Sequence, residues 1–297
     1  MRPAPAARSA PPSPGAVMAK AARENFPVAS RLLPRDTRGH LLAIYGFARL
    51  VDDIGDEASG DRVALLDWLE GEVDRVDAGT PTHPLMRRLV PTVRRFEIPR
   101  EPFHRLIAAN RQDQEVRLYA TFDDLAAYCE LSANPVGHLV LYVLRAATPE
   151  HMALSDSVCT GLQLVEHWQD VAEDLTRGRV YLPQDDLTRF GCSREDLRAP
   201  RPSRAFRRLM AFEVGRARSL LEEGAPLARE LGGRAGFAVA AFVAGGRSAL
   251  DAIARAGYDV LSVRPRPSRA WRAWTLVRTL LELRSSRRPA SATGGSR

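Results

Sequence analysis

Residues 161–174 of the sequence read Gly161-Leu162-Gln163-Leu164-Val165-Glu166-His167-Trp168-Gln169-Asp170-Val171-Ala172-Glu173-Asp174. A polar series at spacings of three, four and four runs through this stretch: Gln163, Glu166, Asp170 and Asp174. Residues at those spacings lie on one face of an α-helix. Most of the other positions are apolar, so the pattern predicts a buried helix whose acidic stripe faces an interior cavity. Buried carboxylates without partners are costly, and metal coordination is a common solution.

A second acidic cluster lies earlier in the chain, at residues 45–57, which read YGFARLVDDIGDE. Asp52 and Asp56 are four residues apart and therefore share one helix face. Arg49 precedes Asp52 by three and joins that face, while Tyr45 lies one turn below. Like charges at this spacing oppose helix formation by about a few tenths of a kcal/mol, a penalty that a metal ion would reverse. Asp53 faces partly away, which leaves open whether it touches metal through water or forms a cap or ion pair.

Together the two faces predict a metal site with hard oxygen ligands, formed by Asp52, Asp56, Asp170 and Asp174. Such a site suits Mg²⁺, which prefers carboxylates, waters and phosphate oxygens. The chemistry implied is metal-assisted departure of a diphosphate, with Mg²⁺ and arginines neutralising the growing charge of the leaving group. A single acidic cluster is more often a solvated face. Two clusters, each in an apolar helix with an aligned polar side chain, favour the metal site.

The rest of the chain is also helical in its periodicity, with no convincing alternating strand pattern. The predicted helices are 36–57, 61–77, 84–96, 101–113, 122–147, 155–177, 203–231, 236–257 and 268–284. Asp36 and Ser155 are the predicted N-caps of the first and sixth of these helices. The longest stretch without a clear helix is 178–202. These patterns predict a single all-α domain.

Net charge is +7, from 43 basic and 36 acidic residues, and the excess lies at the two ends of the chain. Residues 264–297 carry nine arginines against Glu282, and residues 1–20 add a charge of +3, so the remainder is acidic. A nucleic-acid-binding domain needs a basic stripe on its folded surface. We therefore expect no nucleic-acid partner. Lys20 is the only lysine.

The first 20 residues are predicted to form a disordered Pro/Ala-rich leader, since residues 1–17 lack the apolar region of a signal peptide; Met18 is an alternative start. A helical domain over 21–285 and a disordered tail over 286–297 complete the predicted organisation. The three cysteines are odd in number and form no CxxC pair, which favours a reducing cytoplasm. Uninterrupted apolar runs are shorter than the roughly 18 residues of a membrane span. We expect a cytoplasmic protein.

The predicted last helix, 268–284, combines aromatic and basic side chains at helical spacing: Trp271, Trp274, Arg269, Arg272, Arg278 and Arg284. This combination suits peripheral contact with anionic lipid. The alternative is a last helix packed on the domain with its arginines in water. Both interpretations stay open from the sequence.

The two acidic motifs, followed by Arg-Val-Tyr-Leu-Pro at 179–183, resemble the squalene/phytoene synthase family of head-to-head prenyl transferases over roughly residues 22–285. Residues 24–30 (ENFPVAS), 32–34 (LLP), 128–129 (YC) and 132–137 (SANPVG) are similar to its HpnC branch, the hydroxysqualene (squalene) synthases of the hopanoid pathway. The resemblance implies a class I isoprenoid (terpenoid) synthase fold, a helical bundle around a central cavity in which the two aspartate helices face each other.

For the site, the resemblance implies two or three Mg²⁺ ions with diphosphate, bound at Asp52, Asp56, Asp170 and Asp174. Family positions that contact diphosphate or close the site match Arg49, Gln163, Arg179 and Tyr181. Positions that line the cavity near the reacting carbons match Phe26, Tyr45 and Tyr128.

Two departures from the family pattern concern the ligands. Glu166 stands where the family commonly has an asparagine metal ligand; glutamate also binds Mg²⁺, although it is longer and charged, and we include it in the metal set. The family's early phosphate-binding positions hold Arg23, Glu24 and Asn25 here, and we assign Asn25 to substrate binding.

Within the HpnC branch, the implied reaction is loss of diphosphate from presqualene diphosphate, followed by rearrangement and capture by water to give hydroxysqualene. No NAD(P)H is expected, in keeping with the lack of a GxGxxG motif after a strand. The prenyl diphosphate is the expected partner, together with other hopanoid-pathway enzymes. One alternative is head-to-head condensation of two prenyl diphosphates to presqualene diphosphate, squalene or phytoene. Another is a non-catalytic scaffold, for which degraded aspartates would be expected.

Overall fold

The computed structural model describes residues 10–20 and 33–285, and this part of the chain is built from helices. They are α1 (Pro14–Lys20), α2 (Arg35–Asp56), α3 (Arg62–Ala78), α4 (Pro84–Phe96), α5 (Glu101–Glu115), α6 (Phe122–Ser132), α7 (Asn134–Val143), α8 (Pro149–Gln169), α9 (Val171–Thr176), α10 (Gln184–Phe190), α11 (Arg194–Arg198), α12 (Arg204–Gly224), α13 (Pro226–Leu231), α14 (Gly233–Arg255) and α15 (Arg269–Ser285). Within the described ranges, extended backbone pairs only at an isolated bridge between Leu118 and Val180. The all-α prediction is confirmed.

Several predicted helices are divided in the structure. The predicted helix 122–147 separates into α6 and α7 at Ala133, and 203–231 separates into α12 and α13 at Ala225. In both cases a proline stands at the start of the second helix, where its missing N–H costs nothing. The stretch 178–202, for which no helix was predicted, contains the short helices α10 and α11.

Both predicted N-caps are wrong. Ser155 lies inside α8, because that helix begins at Pro149 with Thr148 as its N-cap, whose hydroxyl accepts the His151 N–H at 3.2 Å. Proline suits the first helical position, so α8 starts one and a half turns earlier than expected. Asp36 is already within α2, which follows Pro34 without a side-chain cap.

The predicted disordered leader is wrong for residues 14–20, which form α1. Val17 is fully buried in the apolar core that also receives α2. The Lys20 ammonium lies 2.9 Å from Asp53 Oδ1 and 2.7 Å from Glu57 Oε2, so the helix is held by packing and by charge. Residues 1–9 and the predicted tail at 286–297 lie outside the described residues.

Two large apolar clusters form most of the interior of the described residues, beside a small third cluster of Val158, Ala225 and Val243. The N-terminal cluster lies among α1–α5 and α7, with fully buried side chains such as Phe47, Leu66, Leu89, Phe103 and Leu139. The C-terminal cluster lies among α6, α8–α12 and α14 and is filled by side chains such as Tyr128, Trp168, Phe206, Leu221 and Leu250. The first acidic motif belongs to the first half and the second motif to the second half, so the site between them joins the two halves.

Close approach of α8 and α12 depends on glycines. A Cβ on Gly161 would lie 3.0 Å from the Leu221 side chain, and one on Gly224 would lie 2.6 Å from the Leu154 carbonyl oxygen. The Trp168 indole of α8 donates to the Glu213 carbonyl oxygen of α12 at 3.2 Å. Because α8 is fixed on α12 in this way, the second motif at its C-terminal end has a rigid base.

By averaged hydropathy and length, α14 is the one helix of the described residues that could cross a membrane. However, 61% of its apolar window is buried inside the protein, where α14 packs against α8, α12 and α15. Burial on that scale is what a core helix shows, and such helices pass the same test of length and composition.

A buried charge network on α12 leads to a prediction about pH. Arg216 Nη1 lies 2.7 Å from Asp186 Oδ2 and 3.0 Å from Glu213 Oε2, so two carboxylates share one guanidinium. Burial raises the pKa of Glu213 from 4.5 to about 8, against the opposing effect of Arg216 and with a further contribution from Asp186. The folded state therefore holds a proton that the unfolded state releases, and this contribution to stability falls as pH rises from about 4.5 to about 8.

Replacing Glu213 by glutamine removes this titration. We expect the free energy of unfolding of Glu213→Gln to rise relative to wild type between about pH 5 and about pH 8, measured by urea unfolding at both values. Glu223→Gln, at an exposed position of the same helix, serves as the control. If Glu213→Gln and wild type differ in free energy of unfolding by the same amount at both pH values, Glu213 is not protonated in the folded state.

Candidate active site

The first acidic motif is positioned by α5, which docks on the C-terminal end of α2. A Cβ on Gly55 would lie 2.0 Å from Asn110 Oδ1, so only glycine leaves room for the Asn110 side chain here. Gln114 of α5 donates to the Gly55 carbonyl oxygen at 3.1 Å. The Asn110 amide also hydrogen-bonds the Asp52 carboxylate. The glycine of the motif therefore lets a helix from elsewhere in the chain orient its aspartate.

Asp52 and Asp56 face away from the apolar core, and the prediction that they share a face is confirmed by their common exposure. Asp52 is reached by solvent, yet protein surrounds it closely. Burial raises its pKa to about 7, with the Arg49 guanidinium acting in the opposite direction and Asp56 reinforcing the increase. A carboxylate that is both solvent-accessible and enclosed is expected on the wall of an interior recess, where a cation would stabilise its charged form.

Asp53 points to the opposite side of α2 and is only 3% exposed. Its Oδ1 atom lies 2.9 Å from Lys20 Nζ and 2.7 Å from Arg49 Nε. Arg49 continues to Glu57, with Nη2 at 3.3 Å from Oε1. Of the two roles left open for Asp53, the structure supports the buried ion pair. Asp53 thereby holds Arg49 at the edge of the site.

The second motif is not one continuous helix, as predicted, but two. Helix α8 ends at Gln169, Asp170 adopts a non-helical conformation, and α9 begins at Val171. The Asp170 N–H donates to the Glu166 carbonyl oxygen at 3.0 Å and the Asp174 N–H to the Asp170 carbonyl oxygen at 2.8 Å, so the four-residue register continues through the break. No glycine or proline marks this break in the sequence.

The pKa values of the aspartates in the second motif are raised by burial and by their neighbouring negative charges. Burial, followed by the charge of Asp170, raises the pKa of Asp174 to about 7. Burial also raises the pKa of Asp170 above its usual value. The Asp170 Oδ1 atom is buried and accepts no hydrogen bond, while Oδ2 binds Arg264. One oxygen of this carboxylate is therefore left for a ligand.

Arg179 lies between the two motifs. The segment that carries it pairs with residues after α5, since the Val180 N–H donates to the Arg117 carbonyl oxygen at 2.9 Å. Arg179 is 8% exposed, and its Nη1 atom lies 3.0 Å from Asp56 Oδ1. The same guanidinium acts on the charge of Asp174 in the second motif. One cation therefore connects the acidic faces of the two halves.

An aromatic wall adjoins Arg179. The rings of His167 and Tyr181 stack at 3.7 Å between centroids, and Tyr128 and Tyr119 each lie 5.8 Å from Tyr181. The Tyr128 hydroxyl donates to Asp113 Oδ2 at 2.8 Å. Burial, with the nearby Arg179, lowers the pKa of His167 to about 3, so its ring is uncharged at neutral pH.

A pocket beside this wall joins the polar and aromatic parts of the site. Its lining includes His167, Asp174, Arg179, Tyr181 and Leu197. A carboxylate, a guanidinium and two aromatic faces thus border the same space, with aliphatic side chains closing it.

The segment after α14 covers the second motif. Arg264 Nη2 lies 2.5 Å from Asp170 Oδ2, and its Nη1 lies 3.2 Å from Glu173 Oε2. The Gln169 side chain donates to the Pro265 carbonyl oxygen at 2.6 Å. This segment is therefore attached to the motif by charge and by a hydrogen bond.

The remaining predicted residues have varied positions. Gln163 Nε2 lies 3.3 Å from His167 Nε2, so it supports the aromatic wall. Glu166 is exposed one turn before Asp170, and Tyr45 is buried in α2 one turn before Arg49. Phe26 and Asn25 lie outside the described residues.

Sequence reasoning gave no site role to four residues that the structure places here: Lys20, Asp113, His167 and Arg264. Lys20 fell within the predicted leader, and Arg264 was counted only as part of a basic terminus. Asp113 did carry a usable signal, because it lies three residues after Asn110 on the buried face of α5. A polar pair on an otherwise apolar helix face indicates polar partners in the interior.

The oxygen ligands of the two motifs are spread over both halves of the site. In the described ranges, no group of three His, Cys, Asp or Glu side chains is close enough together to hold a metal ion by itself. Each motif instead offers carboxylates at helical spacing, and Asp170 keeps an unpartnered oxygen. Mg²⁺ commonly takes one or two protein carboxylates with waters and phosphate oxygens. The residues present fit the ion in that mode, with a diphosphate ligand supplying the other oxygens.

Comparison with known proteins finds similarity to hydroxysqualene, phytoene and squalene synthases. A hydroxysqualene synthase from Rhodopseudomonas palustris is 38% identical over 212 residues, covering 70% of this chain and 71% of that protein. A phytoene synthase from Arthrospira platensis is 33% identical over 260 residues, covering 81% and 83%. The crystal structure of the squalene synthase HpnC from Alicyclobacillus acidocaldarius is 42% identical and superimposes with a TM-score of 0.78, covering 82% of this chain and 94% of that one.

A single family model matches almost the whole part of the chain that the structure describes. Residues 19–272 match the squalene/phytoene synthase family, a range that includes both acidic motifs, Arg179 and Arg264. The matched range begins at residue 19 and so includes Lys20, at the C-terminal end of α1. The chain belongs to the squalene/phytoene synthase family.

Proposed function

We propose that this chain is a Mg²⁺-dependent hydroxysqualene synthase, converting presqualene diphosphate to hydroxysqualene with loss of diphosphate and addition of water. The observation that carries the proposal is the position of Arg179, between two enclosed carboxylate motifs and beside an aromatic wall. This arrangement provides a binding place for an anionic head group next to a place for a developing carbocation. The hydroxysqualene synthase and HpnC relatives support the choice of reaction.

The leaving group is held by charge. Mg²⁺ bound at Asp52 and Asp56, and at Glu166, Asp170 and Asp174, would neutralise the oxygens of the departing diphosphate. Arg179, which pairs with Asp56, and Arg49, which pairs with Asp53, would donate hydrogen bonds to the same oxygens. The bond between the carbinyl carbon and the bridging oxygen breaks, and both electrons leave with diphosphate. Preorganised cations lower the barrier because charge grows on the leaving oxygen in the transition state.

The carbon skeleton is left with the positive charge that the diphosphate's departure creates. The ring of Tyr181, which lines the pocket with Tyr128 packed behind it, would attract this cation through the negative potential of its π-system. Burial raises the pKa of both phenols well above the ordinary value, so neither loses its proton at neutral pH. A water oxygen then bonds to the rearranged cation and releases one proton to solvent, which balances the reaction.

Head-to-head condensation is the second candidate, favoured by the phytoene synthase relative, whose match extends over more of the chain than that of the hydroxysqualene synthase. It would use the same diphosphate machinery on two substrate molecules. Loss of diphosphate is therefore common to both candidates, which differ in their substrate and in whether water or a second prenyl chain captures the cation.

The test is incubation of purified protein with presqualene diphosphate and Mg²⁺, without NADPH, followed by mass spectrometry of the lipid extract. We expect hydroxysqualene, and we expect it to disappear when EDTA removes the metal. A parallel incubation contains farnesyl diphosphate alone. Consumption of farnesyl diphosphate with no turnover of presqualene diphosphate would overturn the proposal in favour of condensation.

A further inference from the structure

Large apolar side chains are exposed mainly at one place. In the described residues the large hydrophobic side chains that are exposed are Val63, Val263, Trp274, Val277 and Leu281, and four of these five follow residue 262. Trp274, Val277 and Leu281 are 50%, 56% and 58% exposed and follow one another at spacings of three and four on α15. They therefore form one continuous outward stripe on this helix.

On the side of α15 that packs against the domain, the fully buried residues are polar. Thr275 and Thr279 are fully buried, and Arg247 of α14 donates to Thr279 Oγ1 at 2.8 Å. Arg247 also lies 2.9 Å from Glu282 Oε2. A surface helix of a globular protein normally buries its apolar stripe and exposes its polar one. Here the exposed stripe is apolar, which indicates a partner outside the domain.

The charge around the stripe identifies the kind of partner. Arg269 and Arg272 are exposed at the start of α15, and Arg278 lies 5.4 Å from the ring centroid of Trp274. In sequence, residues 264–297 carry nine arginines against one acidic residue. A basic helix with exposed tryptophan, valine and leucine is the pattern of helices that lie in the interface of anionic membranes.

We propose that α15 is a peripheral membrane anchor, which inserts Trp274, Val277 and Leu281 among the headgroups of an anionic lipid surface while its arginines pair with lipid phosphates. The anchor is connected to the site. Val263, which is 51% exposed, precedes Arg264, and Arg264 binds Asp170 of the second motif. The surface segment and the wall of the candidate site are thus continuous over a few residues.

The proposal does not depend on which prenyl diphosphate is the substrate, because it rests on the surface of α15 alone. A protein partner would also bury an apolar stripe, and so would a second copy of this chain. The excess of arginine favours lipid, since anionic headgroups offer a phosphate to every arginine along the helix. The alternative occupants are outcomes of the experiment.

The experiment uses the full chain in sedimentation with two kinds of vesicle, phosphatidylcholine alone and phosphatidylcholine mixed with phosphatidylglycerol. We expect binding to the anionic vesicles to be at least about tenfold tighter and to weaken as salt is raised. The triple variant Trp274→Ser/Val277→Ser/Leu281→Ser is expected to bind the anionic vesicles at least about tenfold more weakly than wild type. Thermal unfolding of the triple variant is measured alongside to show that it still folds, because Trp274 is half exposed and stacks on Trp271.

Two control variants show whether any loss of vesicle binding is specific to α15. Val63→Ser removes an exposed apolar side chain on α3 and should bind like wild type. Arg269→Gln/Arg272→Gln should weaken binding, whereas Arg87→Gln/Arg88→Gln, exposed on α4, should not. Equal binding by wild type and the triple variant would overturn the proposal. A vesicle-free wild-type dimer that the triple variant converts to monomer would also overturn it, by identifying a second copy as the occupant.

Discussion

Replacing Asp52 or Asp170 by asparagine is expected to lower turnover of the prenyl diphosphate by about 1,000-fold, equivalent to about 4 kcal/mol of transition-state stabilisation. Asparagine keeps the size of the side chain and removes its negative charge. At Asp52 it removes a carboxylate that the enclosed site holds at a raised pKa, and at Asp170 it removes the charge and one oxygen of a carboxylate whose Oδ1 has no partner. Each variant changes one motif, so a loss of turnover in both variants would show that both motifs contribute to catalysis.

The measurement is the initial rate with saturating Mg²⁺, accompanied by thermal unfolding of each variant. Asp36→Asn is the matched control, since Asp36 is exposed at the other end of α2 and pairs with Arg95. The control should keep its rate, and all three variants should keep the wild-type fold. A rate within a few-fold of wild type for either site variant would contradict the assignment of its motif to the metal.

Replacing Arg179 by glutamine is expected to lower the rate by about 100-fold to 1,000-fold, the range found when one preorganised donor to a developing anion is lost. The guanidinium is almost fully buried and connects Asp56 to the second half of the site. Glutamine keeps one donor group but loses the charge that would face a diphosphate. The loss should appear in the rate at saturating substrate, because the interaction strengthens as the leaving group departs.

Arg179 also stabilises the ligand-free protein through its ion pair with Asp56. A second variant separates this structural role from the proposed role in diphosphate binding. Arg179→Lys keeps the positive charge but not the planar pair of donors. We expect this variant to recover the melting temperature more fully than the rate. Arg100→Gln, which removes an exposed guanidinium paired with Asp77 and Asp74, is the control and should leave both readouts unchanged. A glutamine variant that melts early but turns over at the wild-type rate would show a structural role only.

Short-range patterns predicted the parts of the site that depend on helix geometry. Asp52 and Asp56 share a face because any α-helix places residues four apart on one side. The same geometry turned Asp53 towards the other side, as expected. Its partner Lys20 could not be predicted, because it lies 33 residues away in a segment whose Pro/Ala composition favours disorder.

Long-range contacts account for most of what the sequence did not show. Arg264 reaches Asp170 across 94 residues, and nothing local to either residue indicates the pairing. The break at Asp170 also depends on tertiary structure, since the polar and apolar spacings around it fit a continuous helix. The early start of α8 at Pro149 had a local signal, the Thr-Pro pair at 148–149, which competed with an equally good cap at Ser155.

Arginines already occupy the carboxylates of both motifs, through Arg179 on Asp56 and Arg264 on Asp170. On the proposed function, metal at Asp56 and diphosphate at either arginine would bind by exchanging these partners, while Asp170 Oδ1 is open to metal without an exchange. A metal ion that takes a carboxylate releases an arginine for diphosphate, and a diphosphate that takes an arginine releases a carboxylate for metal. The two ligands are therefore coupled, and by thermodynamic reciprocity each raises the affinity for the other by the same factor. On the proposed function, we expect each ligand to bind more weakly alone than in the presence of the other.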